Sequence, residues 1–192
     1  MAINLQKGQR VTLDNSMTMA LVGLSWDTNK YEGAADFDLD VSCFLIGENG
    51  KVNRDEDFVF YNNLQSRNGA VTHTGDNLIG AGEGEVIVID FRKMPEEIKK
   101  VAICVTIHEA DARRQNFGQV SNAFIHVDKI ENETDTAGEP VLRFDLMEEF
   151  SIETAIVVCE IYKYNNLWKF NAVAAGFKGG LAALCRGYGL EV

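Results

Sequence analysis

Asp36-Phe37-Asp38-Leu39-Asp40-Val41-Ser42-Cys43-Phe44-Leu45-Ile46 reads as a β-strand from Phe37 to Ile46, and it sets the class of the fold. Side chains on a strand alternate between faces, so Phe37, Leu39 and Val41 turn to a core while Asp36, Asp38 and Asp40 share the opposite face. Two bare charges about 4 Å apart repel by roughly 4 kcal/mol even at an effective dielectric near 20. Three stacked carboxylates therefore call for compensation from a cation, a basic side chain or solvent.

A second oxygen-rich stretch follows downstream. Gly75-Asp76-Asn77-Leu78-Ile79-Gly80-Ala81-Gly82-Glu83-Gly84-Glu85 holds four glycines in eleven positions. Glycine lets backbone carbonyls turn inward, so Gly75, Gly80 and Gly82 join Asp76, Asn77, Glu83 and Glu85 as candidate oxygen donors. Calcium takes six to eight such ligands from carboxylates, amides, carbonyls and water. Magnesium, which wants a small octahedral shell and keeps its waters, fits this pattern less well. Asn62 and Asn63, after the strand-like Asp57 to Tyr61, offer amide oxygens. Asp27 after Trp26, and Glu109 with Asp111 after the strand-like Val101 to His108, are acids at strand ends that can reach the same place. Arg113 and Arg114 are candidates to pair with acids. An EF-hand is excluded: counting from Asp36, the sixth position is Val41 instead of glycine and the twelfth is Gly47 instead of glutamate.

The 192 residues carry 29 acidic against 18 basic side chains, a net charge of −11, and are 46% hydrophobic. That hydrophobic share supports a sizeable core in a single domain spanning residues 1–192. Clustered Lys and Arg are missing, which argues against a nucleic-acid surface. No apolar run approaches 18 residues and the start lacks a signal-peptide pattern, so a cytoplasmic protein is expected. Cys43, Cys104, Cys159 and Cys185 form no CxxC pair; Cys43 and Cys159 sit in apolar strands and read as small buried hydrophobes. His73, His108 and His126 occur singly in strand contexts, which favours structural roles.

Strand patterns recur almost throughout: 10–13, 18–26, 37–46, 58–61, 70–73, 85–91, 101–108, 122–127, 141–144, 155–164 and 168–174. Glycine, Asn and Asp clusters separate them. Short strands at this spacing predict an all-β, antiparallel β-sandwich. Short helices are expected at 95–100, 145–150 and 180–186.

Asp36-Phe37-Asp38-Leu39-Asp40, Phe58-Val59-Phe60-Tyr61-Asn62-Asn63, Gly75-Asp76-Asn77-Leu78, Thr106-Ile107-His108-Glu109-Ala110, Gln115 to Ile125, and Trp168-Lys169-Phe170 ahead of Gly179-Gly180-Leu181-Ala182 together resemble the TerD family of tellurium-resistance and stress-response proteins. The resemblance runs end to end. It implies a β-sandwich with a few short helices and calcium-binding acidic loops at one end, found mainly in bacterial cytoplasm, with no established catalytic activity. It implies Ca2+ on Asp36, Asp38, Asp40 and Asp76, with Asn62, Asn63, Asn77 and the glycine-loop acids as further ligands. It also implies other stress-response or tellurium-resistance proteins as partners. One departure stands out. Relatives commonly carry a GxGDDE-type cluster at the end of the glycine loop, whereas this chain reads Gly82-Glu83-Gly84-Glu85-Val86, two acids shorter.

Two other classes compete with a calcium-binding stress protein. Paired carboxylates holding a metal can drive hydrolysis or phosphoryl transfer, but neither GxSxG nor GxxxxGK[ST] occurs. A C2-like module would bridge acidic loops to anionic lipid through calcium, yet only Leu78 and Ile79 offer an apolar tip, so membrane contact is expected at most indirectly. Reduction of tellurite would need a redox cofactor or a thiol pair, and the cysteines are scattered in sequence.

Overall fold

The computed structural model describes residues 2–27, 36–75, 84–146 and 150–191. Twelve strands among them form two six-stranded sheets. The first runs β1 (Ile3–Leu5), β10 (Glu139–Asp145), β9 (Phe124–Ile130), β3 (Met19–Ser25), β7 (Glu85–Asp90), β6 (Val71–His73). The second runs β2 (Arg10–Thr12), β12 (Leu167–Phe177), β11 (Ala155–Tyr164), β8 (Ile98–Ile107), β4 (Leu39–Gly47), β5 (Phe58–Val59). Every pairing is antiparallel except β1 with β10. The predicted antiparallel sandwich is the fold observed.

Alternation explains how the sheets meet. Leu39, Val41, Cys43 and Leu45 of β4 enter a core shared with Val22 and Leu24 of β3, Ile87 and Ile89 of β7, and Ile103 and Val105 of β8. Ser42, Phe44 and Ile46 face the other way, yet all nine residues of β4 are buried. Phe44 and Ile46 lie in a second cluster with Cys104, Leu184, Cys185 and Leu190, in which the helix α2 (Gly180–Gly187) takes part. A strand covered on both faces reads as a continuous apolar run, which Ser42 to Ile46 is in the sequence. Full burial of each such large side chain stabilises by about 1.5–3 kcal/mol. All four cysteines are free and buried, and loss of water raises each thiol above its ordinary pKa.

The β11–β12 hairpin turns on Asn165 and Asn166, both at positive φ (50° and 59°), the backbone a two-residue primed turn requires. One expectation needs correction, two elements were not expected, and one expected helix lies partly outside the described residues. The helix expected at 95–100 is a turn that leads into β8 at Ile98, because Ile98, Val101 and Ile103 are needed in the sandwich core. The short α1 (Ala110–Arg113) and the edge strand β1 were not anticipated; each is too short for a periodic signal. The helix expected at 145–150 falls partly outside the described residues, and Asp145 itself closes β10.

Two positions carry identifiable energetic weight. At Gly84, a Cβ would stand 2.3 Å from Cζ3 of Trp26 and 2.4 Å from the carbonyl oxygen of Leu24. Gly84→Ala is expected to destabilise the protein by about 2 kcal/mol through overpacking against backbone, seen as a lower urea midpoint; an unchanged midpoint would show that β3 and β7 have room to separate. Asp90 is buried, and its Oδ1 accepts from the Arg92 backbone N–H at 3.0 Å and Nε at 2.8 Å, while Oδ2 accepts from Nη2 at 2.8 Å. The Arg92 side-chain bonds hold the Asp90 pKa below its ordinary value. Its contribution is thus fully present above the unfolded value of about 3.9 and is lost as pH falls through the folded one. Asp90→Ala is expected to cost roughly 1–2 kcal/mol at pH 7, and the gap from the parent protein in urea titrations should close toward pH 2. A gap that persists there would assign the loss to packing.

Candidate metal centre

The register gathers most of the predicted acids at one end of the sandwich. Leu39 opens β4 opposite Ile107, where β8 closes. Leu24 near the end of β3 faces Glu85 at the start of β7, and Ser25 faces Phe124 at the start of β9. Asp27, the 36–40 segment, Gly75, Glu85, Glu109 and Asp111 therefore belong to the same rim. Asp76, Asn77, Gly80, Gly82 and Glu83 lie outside the described residues.

The aspartate triplet is divided in a way the strand pattern did not show. β4 begins at Leu39, so Asp36 and Asp38 precede the strand and only Asp40 belongs to it. The reason is competition for backbone. The Asp38 carbonyl accepts from the His108 N–H at 2.8 Å, whereas the Asp36 carbonyl is taken by the Gln115 side chain at 3.3 Å. Asp36 is exposed, Asp38 half-buried, and Asp40 only 7% exposed. Among the described residues two side chains with ring or guanidinium nitrogens approach the triplet: Arg113 Nη2 stands 3.3 Å from Asp38 Oδ2, and His108 Nδ1 stands 3.6 Å from Asp40 Oδ2. Arg113 comes from α1, the turn that follows β8, and the positive φ of Glu109 (49°) and Arg114 (53°) brackets it. The expectation that Arg113 pairs with an acid is met.

Asp40 opens onto a cleft of ≈ 420 Å³ lined also by Tyr61, Thr106, His108, Glu109, Asp111 and Thr154, with Gly179 to Ala182 at the start of α2. Thr154 accepts the Gly180 N–H on its hydroxyl at 3.0 Å, which ties the helix start to the mouth of β11. Glu109 lines the same cleft as Asp40, and so do Thr106, Thr154 and Tyr61, which no pattern in the sequence singles out. The pairing of Asp40 with Thr106 is a register fact, and no local pattern announces it.

Three other candidates, Glu85, Gly75 and Asp27, are engaged in building the rim. Glu85 is 1% exposed; its carboxylate accepts the Val41 backbone N–H of the opposite sheet and stands 3.3 Å from His73 Nε2. His73 Nδ1 accepts the Gly75 N–H at 3.1 Å, while its buried Nε2 makes no hydrogen bond among the described residues. Gly75 adopts φ 119°, a backbone that favours glycine. Asp27 accepts from Asn122 Nδ2 at 2.6 Å, and its N–H donates to the Ser121 carbonyl at 3.1 Å. Asn62 and Asn63, by contrast, are not brought to Asp40. They line a separate groove with Asp55, Glu56, Phe58 and Phe60, and Asn63 Nδ2 donates to the Phe58 carbonyl at 2.6 Å. The bridge between Phe60 and Asn63 turns this segment back on itself before it reaches the rim.

The donor set at the rim is made of hard oxygens, which suits a divalent cation such as calcium. Among the described residues, no three His, Cys, Asp or Glu side chains stand close enough together to hold an ion. Asp36, Asp38 and Asp40 would hold one only with further oxygens.

A family model described as the TerD domain matches residues 1–188. The chain is 57% identical to the uncharacterized protein YceE of Bacillus subtilis (strain 168), over all of both chains. It is 49% identical to general stress protein 16U of the same organism, again over all of both, and 49% identical to tellurium resistance protein TerD of Serratia marcescens, over all of this chain and 99% of that one. Among solved structures, a protein of unknown function superposes with a TM-score of 0.73 at 19% identity, covering 93% of this chain and 100% of the other. A homologue of telluride resistance protein (TerD) from Streptomyces coelicolor A3(2) gives 0.69 at 20% identity, covering 88% and 95%; at these identities the likeness is one of fold. With a match across nearly its whole length and relatives this similar, the chain belongs to the TerD family.

Proposed function

We propose that this TerD protein binds calcium at the acidic rim, that it acts in stress response and tellurite resistance as a binding protein in the cytoplasm without catalysis of its own, and that the ion orders the rim for contact with a partner protein. The observation that carries this reading is that Asp40, Glu109 and Asp111 line one cleft at the end of the sandwich, next in sequence to Asp38 and Asp36, with the Arg113 guanidinium against Asp38. Asp38 and Asp40 are partly withdrawn from water, so their mutual repulsion is screened less than at an open surface. Calcium would supply compensating charge; because Asp36, Asp38 and Asp40 do not stand close enough together to hold an ion as they are, its binding would draw them together with further oxygens, for which Asp76 and Asn77 are the candidates.

The described chemistry favours binding over direct reaction with tellurite. All four thiols are buried and raised in pKa, and a thiol so placed is neither a ready nucleophile nor a ready reductant.

Calcium added to chelator-treated protein is expected to raise the melting temperature. At a hundredfold excess over the dissociation constant the gain is about 2.7 kcal/mol, or roughly 5–10 °C for a chain of this size. Asp38→Asn should weaken calcium binding by at least about tenfold in calorimetry. An unchanged melting curve in the parent protein would overturn the proposal. Arg113 occupies the position from which a positive charge neutralises Asp38, so it opposes cation entry. Arg113→Gln is expected to tighten calcium binding by a few fold, on the order of 1 kcal/mol or less for a partly exposed pair; weaker binding in this variant would make Arg113 a support of the site.

A further inference from the structure

On the edge of the second sheet, three phenylalanines form a column. Phe44 stacks on Phe58 with ring centroids 4.5 Å apart, and Phe58 on Phe60 at 4.4 Å with an interplanar angle of 10°. Phe44 is fully buried, Phe58 nearly so, and Phe60 half-exposed, so the column carries aromatic surface from the second core to solvent. Its outer end forms part of a groove of ≈ 450 Å³, whose remaining walls are Asp55, Glu56, Asn62, Asn63, Leu190 and Glu191. The groove is thus apolar at its base and acidic on its rim, and no Lys or Arg lines it.

Arg67 is bound to Asp57 at 3.1 Å and to Glu97, while the exposed Arg54 forms no ion pair with the groove acids among the described residues. Among the described residues Asp55, Glu56 and Glu191 enter no ion pair. The neighbouring Tyr61 and Leu64 are exposed large hydrophobics at 39% and 46%, and Tyr61 meets Phe60 edge-on at 5.1 Å. Aromatic faces attract cations through the ring quadrupole, more so as water is excluded. Carboxylates around such a face select a long basic side chain, whose methylenes cover the ring while its head reaches the acids.

We propose that this groove docks a segment of a partner protein that bears arginine or lysine beside apolar residues, with the basic side chain laid against Phe60 and its charge met by Asp55, Glu56 and Glu191. Charge complementarity is the argument for this occupant: a second copy of this chain, at net −11, would bring mostly like charge. The groove adjoins the Asp40 cleft through Tyr61, which lines that cleft and meets Phe60 edge-on, but its own acids are Asp55, Glu56 and Glu191, so docking here does not depend on calcium.

The test uses the whole protein, isotopically labelled, titrated with the peptide acetyl-Leu-Arg-Leu-Arg-Leu-amide in chelator, with backbone amide shifts followed by NMR. Shifts are expected at 55–63 and 190–191, with affinity falling as salt rises. Glu56→Lys and Glu191→Lys, both exposed and compatible with folding, should together weaken binding by about tenfold or more, equivalent to about 1.4 kcal/mol. Glu139→Lys, exposed on β10 of the first sheet, should leave it unchanged. Phe60→Ala should weaken the arginine peptide several-fold while its spectrum keeps the dispersed signals of the fold. Shifts centred on residues 36–40, equal binding of the matching Leu-Glu peptide, equal binding of spermidine, or no localised shift would each overturn the proposal. So would sedimentation showing self-association abolished by Glu56→Lys, which would make a second copy the occupant.

Discussion

A strand with no face toward solvent constrains everything attached to it, and β4 is such a strand. All nine of its residues are buried: one face lies in the inter-sheet core, and the other contributes Phe44 and Ile46 to a cluster that includes Leu184 and Cys185 of α2. That second covering requires the chain, after β12, to return across the outside of the sheet. The start of α2 then meets Asp40, Thr106 and Thr154 to make the cleft, and the segment after it brings Leu190 and Glu191 against Phe58 and Phe60 to make the groove. Both candidate surfaces are consequences of burying β4 twice.

Polar groups near a doubly covered strand must be satisfied or sit at its end. Asp40 sits at that end, beside His108. Glu85 reaches from the opposite sheet to the Val41 N–H, and that bond ties β4 to β7 at the rim. This carboxylate works as a strut between sheets, and its rigidity holds the neighbouring acids in register. Arg113 answers part of the repulsion among the triplet. The exposed Asp36 is left to water and to any ion that binds there.

Much of this was readable from alternation alone. Leu39, Val41, Cys43 and Leu45 enter the core as their spacing requires, and Asp40 faces away from it. The acids that follow strands, Asp27, Glu109 and Asp111, fall at the expected end because antiparallel neighbours bring alternate strand ends together. Misreadings arose where a residue's neighbours are distant in sequence. Asn62 and Asn63 looked like ligands by composition, but their turn closes on Phe60. The 95–100 segment looked helical after Pro95, yet core burial of Ile98 makes it the start of β8. Glu85 belonged to the acidic list by type, but burial and the Val41 N–H turned it inward.

The amino-acid sequence by itself determined the class of fold, the strand that anchors it, the acidic character of one end and the family. It could do so because period-two alternation and residue chemistry are local properties. Only the tertiary structure decided which acids stand at the rim with Arg113 and His108, which act as struts, and that a phenylalanine column surfaces beside three carboxylates. Those outcomes depend on strand register and on the return of α2 over β4, which join residues far apart in the chain and leave no local signature.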